Sequence, residues 1–263
     1  MKISGANHSS KAGGSSPRDG RTIAVTGKGG TGKTMLATLM IKILAESGDL
    51  KVLAVDADSA TSLPFTLGMK VGKTVSEIRQ EIIEYPEVKR RLTDDHIGNV
   101  MANILEPGKG FDLLVMGRPE APGCFCTVND LLRYGIETLV RDYDIIIIDG
   151  EAGPEQVNRR VLKSIDTLLV VADTSARSLE TASVTIKVAQ SQGNEKVGRA
   201  GLILNRLRGK RSPAKKMDLE ILGYIPEDKN VNHYDAIGRP LLELPAESPS
   251  LMAVRQILKQ IIC

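Results

Sequence analysis

Apolar residues in this chain come in short runs, and most of the runs stop at a glycine, an acid or an amide. Thr22–Thr26, Val52–Val55, Asn99–Ala102, Leu113–Met116, Ile145–Asp149, Thr167–Val171, Gly201–Asn205 and Leu222–Ile225 each have the length and side-chain character of a strand. The run Ile145-Ile146-Ile147-Ile148 is continuous, not alternating, as expected of a strand buried on both faces. Between the runs, apolar residues recur at helical spacing. Thr34–Ser47 predicts a helix, Thr74–Arg91 a charged peripheral helix, and VNDLLRYGIETLV a helix through about Val140, with Thr127 or Asn129 available as a cap. Strands alternating with helices predict an α/β fold: a mostly parallel central sheet flanked by helices on both faces.

At 263 residues, the chain is long enough to bury one substantial core, so residues 21–263 read as a single domain. Residues 1–20 are Gly/Ser-rich with no apolar centre, and read as a flexible N-terminal tail, not a signal peptide.

The segment joining the first strand to the first helix reads Gly27-Lys28-Gly29-Gly30-Thr31-Gly32-Lys33-Thr34. Gly27, Gly32, Lys33 and Thr34 satisfy the pattern G-x-x-x-x-G-K-[ST] of a phosphate-binding loop. Glycines let successive backbone N–H groups turn inward onto phosphate oxygens. Lys33 would reach the β- and γ-phosphates, and the Thr34 hydroxyl would ligate Mg²⁺. The helix that follows adds its positive end to the anion site. The fold expected is that of a P-loop NTPase.

With Lys28 included, the stretch resembles the deviant Walker A box, K-G-G-x-G-K-[ST], of the MinD/ParA/NifH class of ATPases. In that class the early lysine crosses a dimer interface to the partner's nucleotide. The resemblance therefore implies a catalytic role for Lys28 beside Lys33, and a homodimer. Asp56-Ala57-Asp58, at the end of the second strand, matches the class's switch I; this implies that Asp58 positions the attacking water and that Asp56 supports the Mg²⁺ shell. Acids at the carboxyl ends of parallel strands also fit where α/β sheets place their sites. Asp149 then resembles a Walker B aspartate, bound to Mg²⁺ through water. The stretch 149–153 resembles the D-x-x-A-G of switch II, in which the Gly153 N–H would sense the γ-phosphate and Glu151 departs from the usual small or apolar residue.

Asn205 ends another apolar run, and its amide can pair bidentately with adenine. In the class an N-[KR] pair plays this part, and the N-K-x-D pattern that reads guanine is absent. Gly223-Tyr224-Ile225-Pro226 is similar to the class's base-pocket turn, which would set Pro226 against the adenine edge. The nucleotide expected is ATP, bound through Gly27, Gly29, Gly30, Thr31, Gly32, Lys33, Thr34, Asn205 and Pro226.

A phosphate loop does not account for Cys124-Phe125-Cys126. Thiols near a helix N-terminus favour the thiolate, the form that binds soft metals. One C-x-C pair supplies two sulfurs, whereas a closed tetrahedral site wants four. Two chains about a twofold axis would supply all four. With this motif the chain resembles the CooC-type nickel-insertion ATPases that mature carbon monoxide dehydrogenase, and the related AcsF maturation factor of acetyl-CoA synthase. The resemblance spans Arg21 to the C-terminal helix. It implies an ATP-dependent, slowly hydrolysing metallochaperone with a client nickel enzyme. Four thiolates suit Zn²⁺, and Ni²⁺ prefers square-planar geometry, so both ions stay open. Two other readings stand beside it: a MinD/ParA-like positioning ATPase, which would leave the thiols idle, and an iron–sulfur electron donor resembling the nitrogenase iron protein.

Composition narrows the partners. Net charge is +3 with both signs interspersed, which gives no nucleic-acid footprint, and the chain has no Trp. The basic stretch 206–216 reads as a solvated loop or a docking patch for an acidic partner. No run approaches the roughly 20 apolar residues of a spanning helix. The amphipathic Leu251–Ile262 is expected to pack on the sheet and not to hold a membrane. Working thiolates call for a reducing compartment, so a cytoplasmic location is expected.

Overall fold

A computed structural model describes residues 20–85, 94–118, 134, 136–151, 164–191, 196–209 and 219–262. The described strands form one eight-stranded sheet: β1 (Arg21–Gly27), β2 (Val52–Ala57), β3 (Glu106–Pro107), β4 (Asp112–Val115), β5 (Ile145–Gly150), β6 (Ser164–Ala172), β7 (Lys196–Leu207) and β8 (Ile221–Pro226). Their spatial order is β3-β4-β2-β5-β1-β6-β7-β8. Every pairing is parallel except β3 with β4 at the edge. The helices described in full are α1 (Lys33–Ser47), α2 (Leu63–Leu67), α3 (Val75–Glu84), α4 (Asp94–Ala102), α5 (Ala176–Ser191), α6 (Lys229–Ala236) and α7 (Pro249–Ile262).

The strand pleat divides the core between two faces. On β5, Ile145 and Ile147 pack with α1 and α7, while Ile146 and Ile148 pack with α3, α4 and α5. This is why the four isoleucines run without a polar break: a parallel strand with helices over both faces has no wet side. On α7, Leu251, Val254, Ile257, Leu258 and Ile261 are buried in the face that includes α1, and Met252, Arg255 and Lys259 stay outside. Each such aliphatic side chain contributes about 2 kcal/mol when removed from water. The amphipathic stripe is thus spent on the core, as expected. Among the described residues no helix is long and apolar enough to cross a membrane.

The strand expected at Asn99–Ala102 is wrong: these residues end α4. Ile97, Met101 and Ile104 are buried at spacings of four and three, a helical repeat that the apolar run Val100–Met101 disguised. The short edge strand β3 was not anticipated. The helix expected from Thr74 is α3, opened by a capping box in which Thr74 and Glu77 bond each other's backbone N–H. It ends at Glu84, and positions 86–91 of the expected helix lie outside the described residues, as do residues 1–19.

Candidate functional site

Parallel pairing brings the strands' carboxyl ends together on one rim. Val25 and Asp56 both lie in register with Asp149, and Gly27 is in register with Val171. Asp149 on β5, the neighbour of β1, and Asp56 on β2, one strand further, thus converge beside the loop that leaves β1, the crevice where α/β sheets carry ligands.

That loop is built as its sequence requires. Gly30 and Gly32 take φ values of +79° and +95°, which side chains with a Cβ rarely adopt. Gly32 carries a second constraint, because a Cβ there would run into the Asn205 amide nitrogen. The Thr31 hydroxyl donates to the Lys28 carbonyl at 2.7 Å, and the Leu36 N–H donates to the Gly32 carbonyl at 3.0 Å, starting α1. Gly29 faces open space, and Gly27 closes β1.

Lys33 and Thr34 open α1 at the site. Lys33 is buried, and among the described residues no carboxylate lies within ion-pair distance of it. Asp149 is fully buried, and neither of its carboxylate oxygens has a hydrogen-bond partner of standard geometry. Burial raises it from an ordinary 3.8 to about 7; the Thr34 hydroxyl and the Lys33 charge offset this only in part, and Asp56 and Asp58 add to it. Burial likewise lifts Asp56 to about 6, against N–H groups of Leu63 and Asp58 that favour its charged form. An orphaned buried carboxylate beside a threonine hydroxyl fits a hard divalent cation, which takes one or two protein oxygens and leaves the rest of its shell to phosphate and water. The predicted Thr34, Asp56 and Asp149 set is therefore brought together. Asp56 spends both oxygens on its own loop, accepting from Asp58 at 3.1 Å and Leu63 at 3.0 Å. Asp58 lies next to it, half-buried.

Lys28 is half-buried, and its positive charge acts on Asp173 just past β6. Burial alone would raise Asp173, but bonds from Ser175 and Ser178, with Lys28, bring it below the usual carboxylate range. Sequence reasoning passed over Asp173, although an acid ending an apolar strand is the same signal that marked Asp149.

On the far side of the loop a cleft of about 330 Å³ is lined by Lys33, Thr34, Phe65, Asn205, Pro226 and Asp228, among others. Asn205 donates one amide hydrogen to the Thr31 carbonyl at 2.7 Å and accepts the Arg206 N–H at 2.8 Å. An amide has two hydrogens and two lone pairs on its oxygen, so one of each remains for a ligand in the cleft. Asp228 was also missed. It caps α6 through Asn230 and accepts from the Ser250 N–H at 2.9 Å and from the Ser248 hydroxyl. Its placement two residues after Pro226, ahead of a helix, was the available clue.

Cys124, Cys126 and Gly153 lie outside the described residues. Among those described, no group of three or more His, Cys, Asp or Glu is placed to hold a metal.

A parallel sheet, a phosphate loop and a buried acid at its side define a P-loop ATPase. Residues 22–241 match the CobQ/CobB/MinD/ParA nucleotide binding domain, and the chain belongs to that family. It is 39% identical over 249 residues to the uncharacterized ATP-binding protein MJ0685 of Methanocaldococcus jannaschii, covering 91% of this chain and 98% of that one. It is 26% identical over 241 residues to the carbon monoxide dehydrogenase accessory protein CooC of Rhodospirillum rubrum, covering 84% of this chain and 90% of that one. Among solved structures, MinD of Pyrococcus horikoshii with Mg-ADP is similar, with a TM-score of 0.65 and 25% identity over 92% of this chain and 95% of that one. A ParA family ATPase from Chlorobium tepidum shares the fold, with a TM-score of 0.68 at 21% identity over 93% of this chain and 99% of that one.

Proposed function

We propose that this ATPase is a metallochaperone in which two chains close over their nucleotides and share one Ni²⁺ or Zn²⁺ through Cys124 and Cys126 of each. The observation that carries the reading is the C-x-C pair in a chain of this family, a feature that ATP hydrolysis alone does not require. The similarity to the carbon monoxide dehydrogenase accessory protein CooC supports this reading, and the client in it is a nickel enzyme of the carbon monoxide dehydrogenase or acetyl-CoA synthase type.

The nucleotide chemistry follows from the site. Lys33 and the start of α1 set positive charge against the phosphates, where charge develops as the γ-phosphoryl leaves. Bound Mg²⁺, held by Thr34 and Asp149 with Asp56 behind them, would neutralise phosphate charge. Asp58 orients the attacking water, and Lys28 reaches the partner's nucleotide. Only a difference in metal affinity between the closed and open dimers can convert hydrolysis into release. The test is metal titration of the reduced protein with and without ATP. Cys124→Ser with Cys126→Ser should lose one bound ion per dimer and keep its ATPase activity; stoichiometric binding by that double variant would refute the ligand assignment.

A further inference from the structure

Glu151, the acid that departs from the usual switch sequence, touches the segment that carries Asp58. Its carboxylate accepts a hydrogen bond from the Ser59 hydroxyl at 3.3 Å. Its own carbonyl is fixed to the end of β1 by the Thr26 hydroxyl at 2.9 Å. From the opposite side Arg118, just past β4, donates its Nε–H to the Ser59 carbonyl at 2.5 Å. Met116, two residues earlier, donates its N–H to the Asp56 carbonyl at 2.9 Å. Ser59 is therefore gripped at both its hydroxyl and its carbonyl.

The turn so gripped is strained and folded in on itself. Thr61 has φ of +49°, a left-handed conformation that a β-branched residue adopts only under constraint. The Asp58 carboxylate accepts from the Ala60 N–H at 2.9 Å, and the Asp58 carbonyl from the Thr61 N–H at 3.0 Å. The Asp58 carboxylate oxygen held by the Ala60 N–H is committed to its own turn and not to a water in the cleft.

We propose that Glu151 and Arg118 form a latch on Ser59 that restrains hydrolysis by keeping Asp58 folded into its own turn. Both are positioning residues, acting through Ser59, and neither is among the residues that line the cleft. Loss of either contact lets the strained turn open and frees Asp58 for a larger share of the time. The proposal rests on the water-orienting role of Asp58 given above.

The test is steady-state and single-turnover hydrolysis at saturating Mg-ATP for Ser59→Ala, Ser59→Thr, Glu151→Ala, Arg118→Ala and the paired combinations. A net hydrogen bond of ordinary strength corresponds to a rise in kcat of about five-fold, with KM unchanged. Ser59→Ala, Glu151→Ala and Arg118→Ala should each show that rise, and Ser59→Thr, which keeps the hydroxyl, should not. In the Ser59→Ala background Glu151→Ala should add nothing, whereas Arg118→Ala should add its full effect because it holds the carbonyl. Rates at or below wild type overturn the latch. So does an effect of Glu151→Ala that is equal in both backgrounds, since that would place Glu151 in the chemistry itself. Should Glu151→Ala fail to fold, Ser59→Ala alone decides by the same rise. Asp58→Ala separates the two ideas: retained hydrolysis refutes the role of Asp58, while lost hydrolysis with no gain from the Ser59 and Arg118 variants refutes the latch alone.

Discussion

Asp149→Asn should stabilise the nucleotide-free, cation-free protein while destroying its ATPase activity. The carboxyl is fully buried, has no hydrogen-bond partner of standard geometry, and is lifted from 3.8 to about 7. Between those values the folded state binds a proton that the unfolded state has released, so stability falls as pH rises through this window. Three units at about 1.4 kcal/mol each put the cost of the bare charge above pH 7 on the order of 4 kcal/mol. Part of it comes from Asp56, whose charge helps raise Asp149, so the costs of the two acids do not simply add. The asparagine leaves a buried amide in place of the charge, which takes back about 1–3 kcal/mol. A net gain of about 2 kcal/mol remains, or roughly 4–8 °C in Tm for a chain of this size. Thermal melting in chelator at pH 8 and at pH 4.5 measures it. The gain should be present at pH 8 and be lost at pH 4.5, where only about 1 kcal/mol of the charge cost remains and the buried amide leaves the variant slightly the less stable; Mg-ATP should stabilise the wild type but not the variant. An Asn variant that melts at or below wild type at pH 8 without cation would show that the Asp149 charge is compensated in the fold, and the argument for a cation there would fail.

Three further outcomes are expected. Lys28→Ala should keep the monomer fold and lose the ATP-dependent dimer, as read by light scattering. Asn205→Ala removes the donor to the Thr31 carbonyl and the free amide edge facing the cleft, so KM for ATP should rise about ten-fold, the equivalent of ~1.4 kcal/mol, and preference over GTP should fall. Thr74→Ala breaks the capping box of α3 and should cost about 1 kcal/mol in a denaturant titration, with ATP affinity unchanged.

The nucleotide half of the site was legible because its chemistry is local in sequence. The phosphate loop needs glycines, a lysine and a threonine at set spacing between a strand and a helix, and a contiguous octapeptide shows all of this. Asp149 was legible for a related reason: an acid ending a run of four isoleucines can only stand at the rim of a buried strand. Asn99–Ala102 misled because two adjacent apolar residues say nothing of period, and the buried positions that settle it, Ile97 and Ile104, lie outside the run.

What the chain's order of residues determined by itself was the class of fold, the loop and the chemical types gathered near it, since strand runs, helical spacing and turn glycines are short-range constraints. Tertiary structure alone decided which distant groups meet. Strand register put Asp56 level with Asp149, packing left Asp149 dry and unpartnered, and the return of β7 beside β6 brought Asn205 onto the Thr31 carbonyl across 174 positions. The same holds for Ser59 between Glu151 and Arg118. Hydrogen bonds and desolvation act over a few ångströms in space, and no spacing along the chain encodes which strands will be neighbours.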